Sequence, residues 1–235
     1  MSAAFFRALA RSAARRYAAS GAYARHFAYF KLTRDPIYHH VLAHGLVGSG
    51  ARVLDLGCGQ GLLASLYAAA HERHGTGDWP ADWPAPGLRR LQGIDVSTRD
   101  IDRARSAGCA DAEYTCADIR SAAFDAADAV VVLDVLHYMD YAAQDEVLRR
   151  VRAALPAAGV LLLRVADASS SMRFRITVAA DYFTMGLRGL RFGRYHCRPA
   201  AEWQRRLAEA GFRVETYPMS QGSPFANVLM VARGA

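Results

Sequence analysis

Residues 53–61 read VLDLGCGQG, an apolar run that breaks into three glycines at alternate positions, with an aspartate two residues ahead of the first. Val53 and Leu54 suit a strand buried on both faces of a parallel sheet. Gly57, Gly59 and Gly61 supply a turn in which backbone takes positive φ and lets a ligand approach closely. The helix expected from Leu62 to about Ala70 aims its free N–H groups back at that turn. Strand, glycine turn and helix together describe a nucleotide-type cofactor site. A dinucleotide fingerprint needs G-x-G-x-x-G, but here the third glycine comes one residue early and Leu62 holds its place. Asp55 then suits an ammonium group better than a pyrophosphate.

The rest of the chain alternates in the same way. Strands are expected near 52–56, 90–95, 112–117, 129–134, 159–166, 212–217 and 226–232, with helices near 61–73, 98–107, 141–154 and 199–210. That alternation predicts an α/β fold, a parallel sheet covered on both faces and ending in an antiparallel hairpin-like pair. In such sheets ligands sit beyond the carboxyl ends of the strands, where Asp55, Asp95, Asp118 and Asp134 all fall.

Six landmarks occur in order. D-L-G-C-G-Q-G at 55–61 resembles motif I of the class I S-adenosylmethionine (AdoMet) dependent methyltransferases. RLQGIDVS at 90–97 resembles the strand whose terminal acid binds the ribose hydroxyls, and CADIR at 116–120 the acid that accepts from the adenine amino group. AVVVLDVLHYM at 129–139 is similar to strand four with its loop, LPAAGVLLLRV at 155–165 to the turn into strand five, and AGFRVETYP at 210–218 to strand six.

The resemblance covers roughly residues 36–235. It implies a Rossmann-like, doubly wound, seven-stranded sheet whose last strand is antiparallel and inserts between its neighbours. It further implies AdoMet as cofactor and S-adenosyl-L-homocysteine as product; no metal is expected, because no tight Asp/Asn cluster suggests the divalent-metal catechol type. The cofactor residues it assigns are Asp55, Gly57, Cys58, Gly59, Gly61, Asp95 for the ribose with Val96 beside it, Asp118 and Ile119 for adenine, and Asp134 at the methionine end. Taken alone, Asp95 and Asp118 are equally consistent with capping a loop or helix. Cys58 reads as a small filler, since no basic neighbour would activate it.

Charge is unevenly placed. Before Asp35 there is no acid, while Arg7, Arg11, Arg15, Arg16, Arg25, Lys31 and Arg34 match the whole net charge of +7. The same segment carries Phe5, Phe6, Tyr17, Tyr23, Phe27, Tyr29 and Phe30. Residues 1–48 are therefore expected as a basic, aromatic helical lid over a transferase domain at 49–235, with a helix starting at Asp35-Pro36, an N-cap followed by an N1 proline. The basic face suits an anionic substrate, an acidic carrier protein or an anionic surface, and equally a solvated helix face over one buried aromatic stripe. The four cysteines show no C-x-x-C pair, so a reduced, cytoplasmic setting is expected. No apolar run reaches membrane-spanning length.

Two insertions interrupt the framework. Residues 74–89 contain DWPADWP, which reads as a surface loop with Trp79 and Trp83 packed down or clamping a ligand. Residues 168–198 mix Arg173, Arg175, Arg188, Arg191, Arg194 and Arg198 with Phe174, Tyr182, Phe183, Phe192 and Tyr195, suiting an aromatic or acyl substrate that bears a carboxylate or phosphate.

Methyl transfer requires an aligned nucleophile, and a hydroxyl attacks better as its proton leaves. His137, in the loop that faces the methyl group in the family, is the first candidate base, His196 the second, and Tyr138 a substrate-orienting residue. Each is equally a structural side chain. DVLHYM replaces the Asn/Asp-Pro-Pro-Tyr/Phe run of base-amine methylation, and the sole lysine, Lys31, excludes a ribose enzyme with catalytic lysines. Nucleic acid is thus an unfavoured partner. The expected function is methylation of a small molecule, chiefly on oxygen, with an acidic aromatic, quinone-like or carrier-bound acyl acceptor. The rivals are a non-catalytic AdoMet- or partner-binding module and an RNA-directed methyltransferase.

Overall fold

In the computed structural model, residues 3–169, 171–187, 195–221 and 224–234 are described, without the side chains of 171, 181 and 183–187. The chain divides into two compact units, Met1–Val130 and Val131–Ala235.

In the first unit, three helices precede the sheet: α1 (Ala3–Arg15), α2 (Gly21–Arg34) and α3 (Pro36–Ala43). Asp35 accepts from the Ile37 amide at 3.2 Å, and Pro36 occupies the first turn, where its missing N–H costs nothing. The inner face of α1 is Phe6, Leu9, Ala10, Ala13 and Ala14, and that of α2 is Ala24, Ala28 and Leu32. The expected buried aromatic stripe is therefore mostly alanine, whose small side chains let helices approach closely. Tyr23 and Phe30 face outward at 61% and 62% exposure.

β1 (Ala51–Leu56), α4 (Leu62–Gly75), β2 (Leu88–Asp95), α5 (Thr98–Ser106) and β3 (Ala112–Cys116) complete the parallel part of this unit, followed by the start of β4 (Ala129–Leu133). β1 pairs with β2 and β2 with β3, all parallel. The DWPADWP loop packs down. Trp79 and Trp83 stand edge-on at 5.5 Å, and Phe5 of α1 meets them at 5.9 and 6.2 Å. His39 of α3 meets Trp83 at 5.2 Å and Phe6 at 5.1 Å. Such edge-to-face pairs add about 0.5–1.5 kcal/mol each beyond the area they bury.

In the second unit α6 (Tyr141–Ala154), β5 (Val160–Ala166), α7 (Ser171–Leu187), α8 (Ala200–Glu209), β6 (Phe212–Pro218) and β7 (Asn227–Gly234) follow. β7 lies antiparallel to both β5 and β6. The seven strands take the order β3-β2-β1-β4-β5-β7-β6, the expected sheet with the last strand inserted between its neighbours. Helix α7 went unpredicted. Its sequence mixes Arg, Thr and aromatic residues without a marked apolar stripe, so periodicity gave no signal. Arg188, Arg191, Phe192 and Arg194, and the side chain of Phe183, lie outside the described residues.

Candidate functional site

The glycine loop is built as its spacing predicts. Gly57, Gly59 and Gly61 have φ of 76°, 53° and 75°, values that residues with a Cβ rarely adopt. Gly57 and Cys58 donate to the Ile94 carbonyl at 2.7 and 3.2 Å, which ties the loop to the end of β2. A Cβ on Gly61 would lie 2.6 Å from the Tyr114 hydroxyl, so glycine is also needed there for space. A Cβ on Gly59 would meet nothing, leaving an open cradle in front of that residue.

Asp55 is 5% exposed, and burial, with the nearby Asp95 carboxylate second, pushes its pKa up to about 7. A buried carboxylate raised in this way is stabilised in its charged form by an arriving cation. Burial pushes the Cys58 thiol up as well, which leaves it unreactive and fits the filler reading.

At the end of β2, Asp95 accepts from the Gly59 amide at 2.9 Å and the Ser97 amide at 2.8 Å. Val96 beside it is 51% exposed, an uncovered apolar side chain suited to a flat heterocycle or sugar edge. Ile119 is buried. Asp118 accepts from the Arg120 amide at 2.9 Å, and the Arg120 guanidinium beside it holds its carboxyl below the usual range. The open cradle at Gly59, the cation-seeking Asp55 and the doubly anchored Asp95 fit an amino-acid nucleoside of AdoMet type.

The residues after β4 belong to the second unit. Asp134 sits at φ 59°, the single non-glycine residue with positive φ among those described. Arg164 holds it there. Its Nε donates to Asp134 at 2.9 Å, a second guanidinium nitrogen pairs with the other carboxylate oxygen, and the Asp134 amide donates to the Arg164 carbonyl at 3.1 Å. Arg164 is 1% exposed inside an otherwise apolar strand, VLLLRVA. Asp134 thus works in a bidentate ion pair, the strong geometry for Arg and carboxylate.

His137 is buried in a short turn, Leu136–Tyr138, and burial brings its pKa down to about 4 despite the raising influence of Asp134. Its ring stacks on Tyr195 at 5.1 Å and meets Tyr138 at 4.1 Å, while its carbonyl accepts from the His196 amide at 2.9 Å. The structure therefore brings His137, Tyr138 and His196 together. Gln144 does the joining: its amide nitrogen lies 3.1 Å from the Leu136 and Met139 carbonyls and 2.7 Å from that of His196. A cavity of about 580 Å³ opens beside them, lined by Asp140, Tyr141, Ala142, Phe174, Tyr195, His196 and Cys197.

Sequence reasoning missed several of these partners. Arg164 and Gln144 gave no motif: the signal for Arg164 was only a charge inside the apolar strand VLLLRVA, and Gln144, between Ala143 and Asp145, gave none. Arg198, assigned above to the substrate-facing set, is 1% exposed and donates to Asp145 at 2.8 Å and to the Tyr141 carbonyl at 3.1 Å. Among the described residues, no cluster of three His, Cys, Asp or Glu side chains offers a metal site.

The methyltransferase domain family matches residues 13–217 of the chain. No curated protein matches it in sequence. Among solved structures it is similar to an O-methyltransferase family protein from Burkholderia thailandensis, at 21% identity and TM-score 0.63, over 90% of this chain and 59% of that one. It is similar to the mitomycin 7-O-methyltransferase MmcR at 22% identity and TM-score 0.64, over 90% and 56%. A third is the magnesium protoporphyrin IX methyltransferase of Synechocystis with bound S-adenosylhomocysteine, at 20% identity and TM-score 0.54, over 79% and 75%. The chain thus spans a little over half the length of the two O-methyltransferases. With the glycine loop and the inserted antiparallel strand in place, the chain belongs to the methyltransferase domain family and is a class I AdoMet-dependent methyltransferase.

Proposed function

We propose that this methyltransferase modifies a small aromatic acceptor at an oxygen, and that the acceptor enters the cavity lined by Tyr141, Phe174, Tyr195 and His196. The cavity carries the reading, since about 580 Å³ lined largely by aromatic rings falls within the range of small-molecule sites. Two structures similar to this chain are described as O-methyltransferases, which supports oxygen as target. An acidic aromatic or quinone-like acceptor fits best. A carrier-bound acyl group fits the outer face of α1, where Arg7, Arg11 and Arg15 stand exposed at four-residue intervals for an acidic carrier protein or another anionic surface.

On this reading Asp55 receives the ammonium group, Asp95 the ribose hydroxyls and Asp118 with Ile119 and Val96 the adenine, while Gly57, Cys58, Gly59 and Gly61 let backbone approach. AdoMet supplies a methyl group already activated on a sulfonium. The chain's own residues position the acceptor and move its proton. His196 lines the cavity and is the better placed base. His137 stays neutral well below pH 7 and serves to hold Tyr195 against the acceptor. With a pKa of about 4 it is a poor base toward a phenol near 10, a mismatch of roughly 8 kcal/mol. Residues 1–48 form the basic helical element covering the cofactor half, 49–235 the transferase domain, and the protein works in a reducing cytoplasm.

The test is incubation with methyl-labelled AdoMet and a panel of phenols, catechols, hydroxyquinones and acyl thioesters, with product structure read by mass spectrometry and NMR. Methyl ethers formed by wild type and cut at least tenfold in His196→Gln support the reading. Transfer confined to carbon or nitrogen, or to RNA, would sink it.

A further inference from the structure

The family assignment says nothing about what holds the glycine loop from behind. Tyr17, just past the end of α1, is fully buried, and its hydroxyl donates to the Gln60 carbonyl at 2.8 Å. Gln60 lies between Gly59 and Gly61 and is itself 3% exposed. Its side-chain amide donates to the Ala24 carbonyl of α2 at 3.0 Å. The peptide unit joining Gln60 and Gly61 is thereby fixed at both ends, because the Gly61 amide donates to the Cys58 carbonyl at 2.9 Å. Gly61 on its C-terminal side, at φ 75° and without a Cβ, leaves this unit free to rotate unless it is held.

Its neighbours are held too. The Gly59 amide is engaged by Asp95, and Gly61 abuts Tyr114. The region around Tyr17 is anchored on the same unit. Arg16 pairs with Glu72 of α4, Ser20 bonds to Ser106 of α5, and Phe5 at the other end of α1 sits against Trp79 and Trp83. The N-terminal helices therefore form a strut running from the DWPADWP loop to the back of the glycine loop.

We infer that Tyr17 and Gln60 are positioning residues for the cofactor: the hydroxyl of one and the amide of the other hold the 60–61 peptide so that the loop presents its cofactor-facing shape before AdoMet arrives. Tyr17→Phe leaves a buried carbonyl without its donor while keeping the ring in place. Such a loss shifts an equilibrium by about tenfold. The hydroxyl acts on the loop and not on the acceptor, so its effect is confined to cofactor binding. The inference rests on the AdoMet reading.

The experiment is calorimetric titration of full-length wild type, Tyr17→Phe and Gln60→Met with AdoMet and S-adenosylhomocysteine, together with amide hydrogen exchange of residues 57–61 without cofactor. Leu207→Ala, a buried α8 position in the second unit, serves as a variant that loses stability elsewhere. The expected result is a rise in Kd of about tenfold in Tyr17→Phe, with faster exchange at 59–61. Acceptor KM and kcat at saturating AdoMet should stay at wild-type values, and Leu207→Ala should lower Tm without changing Kd. If Tyr17→Phe fails to fold, Gln60→Met carries the same expectation. Wild-type Kd in both variants, or an equal rise in Leu207→Ala, overturns the positioning role. Absence of AdoMet binding by wild type overturns the cofactor reading instead.

Discussion

The loops after β1 and β4 are both held in backbone conformations that most residues avoid, and they reach them by opposite means. The first is a run of glycines, where positive φ costs little, and what it needs is anchoring: Ile94 and Asp95 on one side, Tyr17 on the other. The second places an aspartate at φ 59° and compensates through side chains, with Arg164 clamping Asp134 and Gln144 gathering three carbonyls. Strain of this kind costs on the order of 1–3 kcal/mol, and it persists only where the surroundings fix it. A backbone-made loop tolerates changes in its neighbours as losses of affinity. A loop made by buried side chains fails as a loss of fold.

That contrast can be broken most readily at Asp95. Asp95→Ala removes the anchor of the Gly59 amide and, on the proposed role, the acceptor for the ribose diol, so AdoMet affinity should fall at least a hundredfold, with Tm changed by only a few degrees. Calorimetry and thermal unfolding check it, and a protein that unfolds instead would erase the distinction. At the other loop the test is Arg164→Met, which takes the guanidinium away from a carboxylate in a left-handed conformation. It should cost about 3–5 kcal/mol in urea unfolding. Gln144→Leu should follow at about 2–3 kcal/mol, because buried carbonyls lose their donor.

Asp55 sharpens the comparison through pH. Its folded pKa, about 7, lies above that of an unfolded aspartate, so its contribution to stability is complete below about pH 4 and is lost as pH rises through 7. The cofactor-free protein should therefore gain stability at pH 8 on Asp55→Asn, read as a higher Tm. On the proposed role of Asp55, AdoMet binding needs the charged form. Wild-type affinity should fall by up to tenfold per unit as pH drops below about 7, a slope that Asp55→Asn lacks. The smallest expected effect is Cys58→Ala, a change in Kd within about twofold, since the buried thiol has no partner role in binding.

What could be read from the sequence follows the same division. Gly57, Gly59, Gly61 and Asp95 were legible because a glycine turn and the acid that ends a strand are local codes. The strands were legible for the same reason, and β7 was placed between β5 and β6 by resemblance, since pairing order has no local signature. Gln144 is written eight residues from Leu136 and 52 from His196, and only the fold brings those carbonyls to one amide. Tyr17 belongs with it: 43 residues separate it from Gln60, and an aromatic at a helix end reads as core. Helix α7 was missed because it lacks a continuous apolar face, and the aromatic rings of 171–187 gave composition without periodicity.

The tryptophans have a practical consequence. Trp79 and Trp83 lie together in the DWPADWP loop of the first unit, while Trp203, 1% exposed on α8, belongs to the second. The protein thus carries its own pair of optical reporters, one per unit. Replacing Trp203 by Phe leaves an emission signal that follows the N-terminal strut alone, and replacing the other two leaves one that follows the second unit. Whether the halves melt in one step or two becomes a question that a fluorimeter answers without any label.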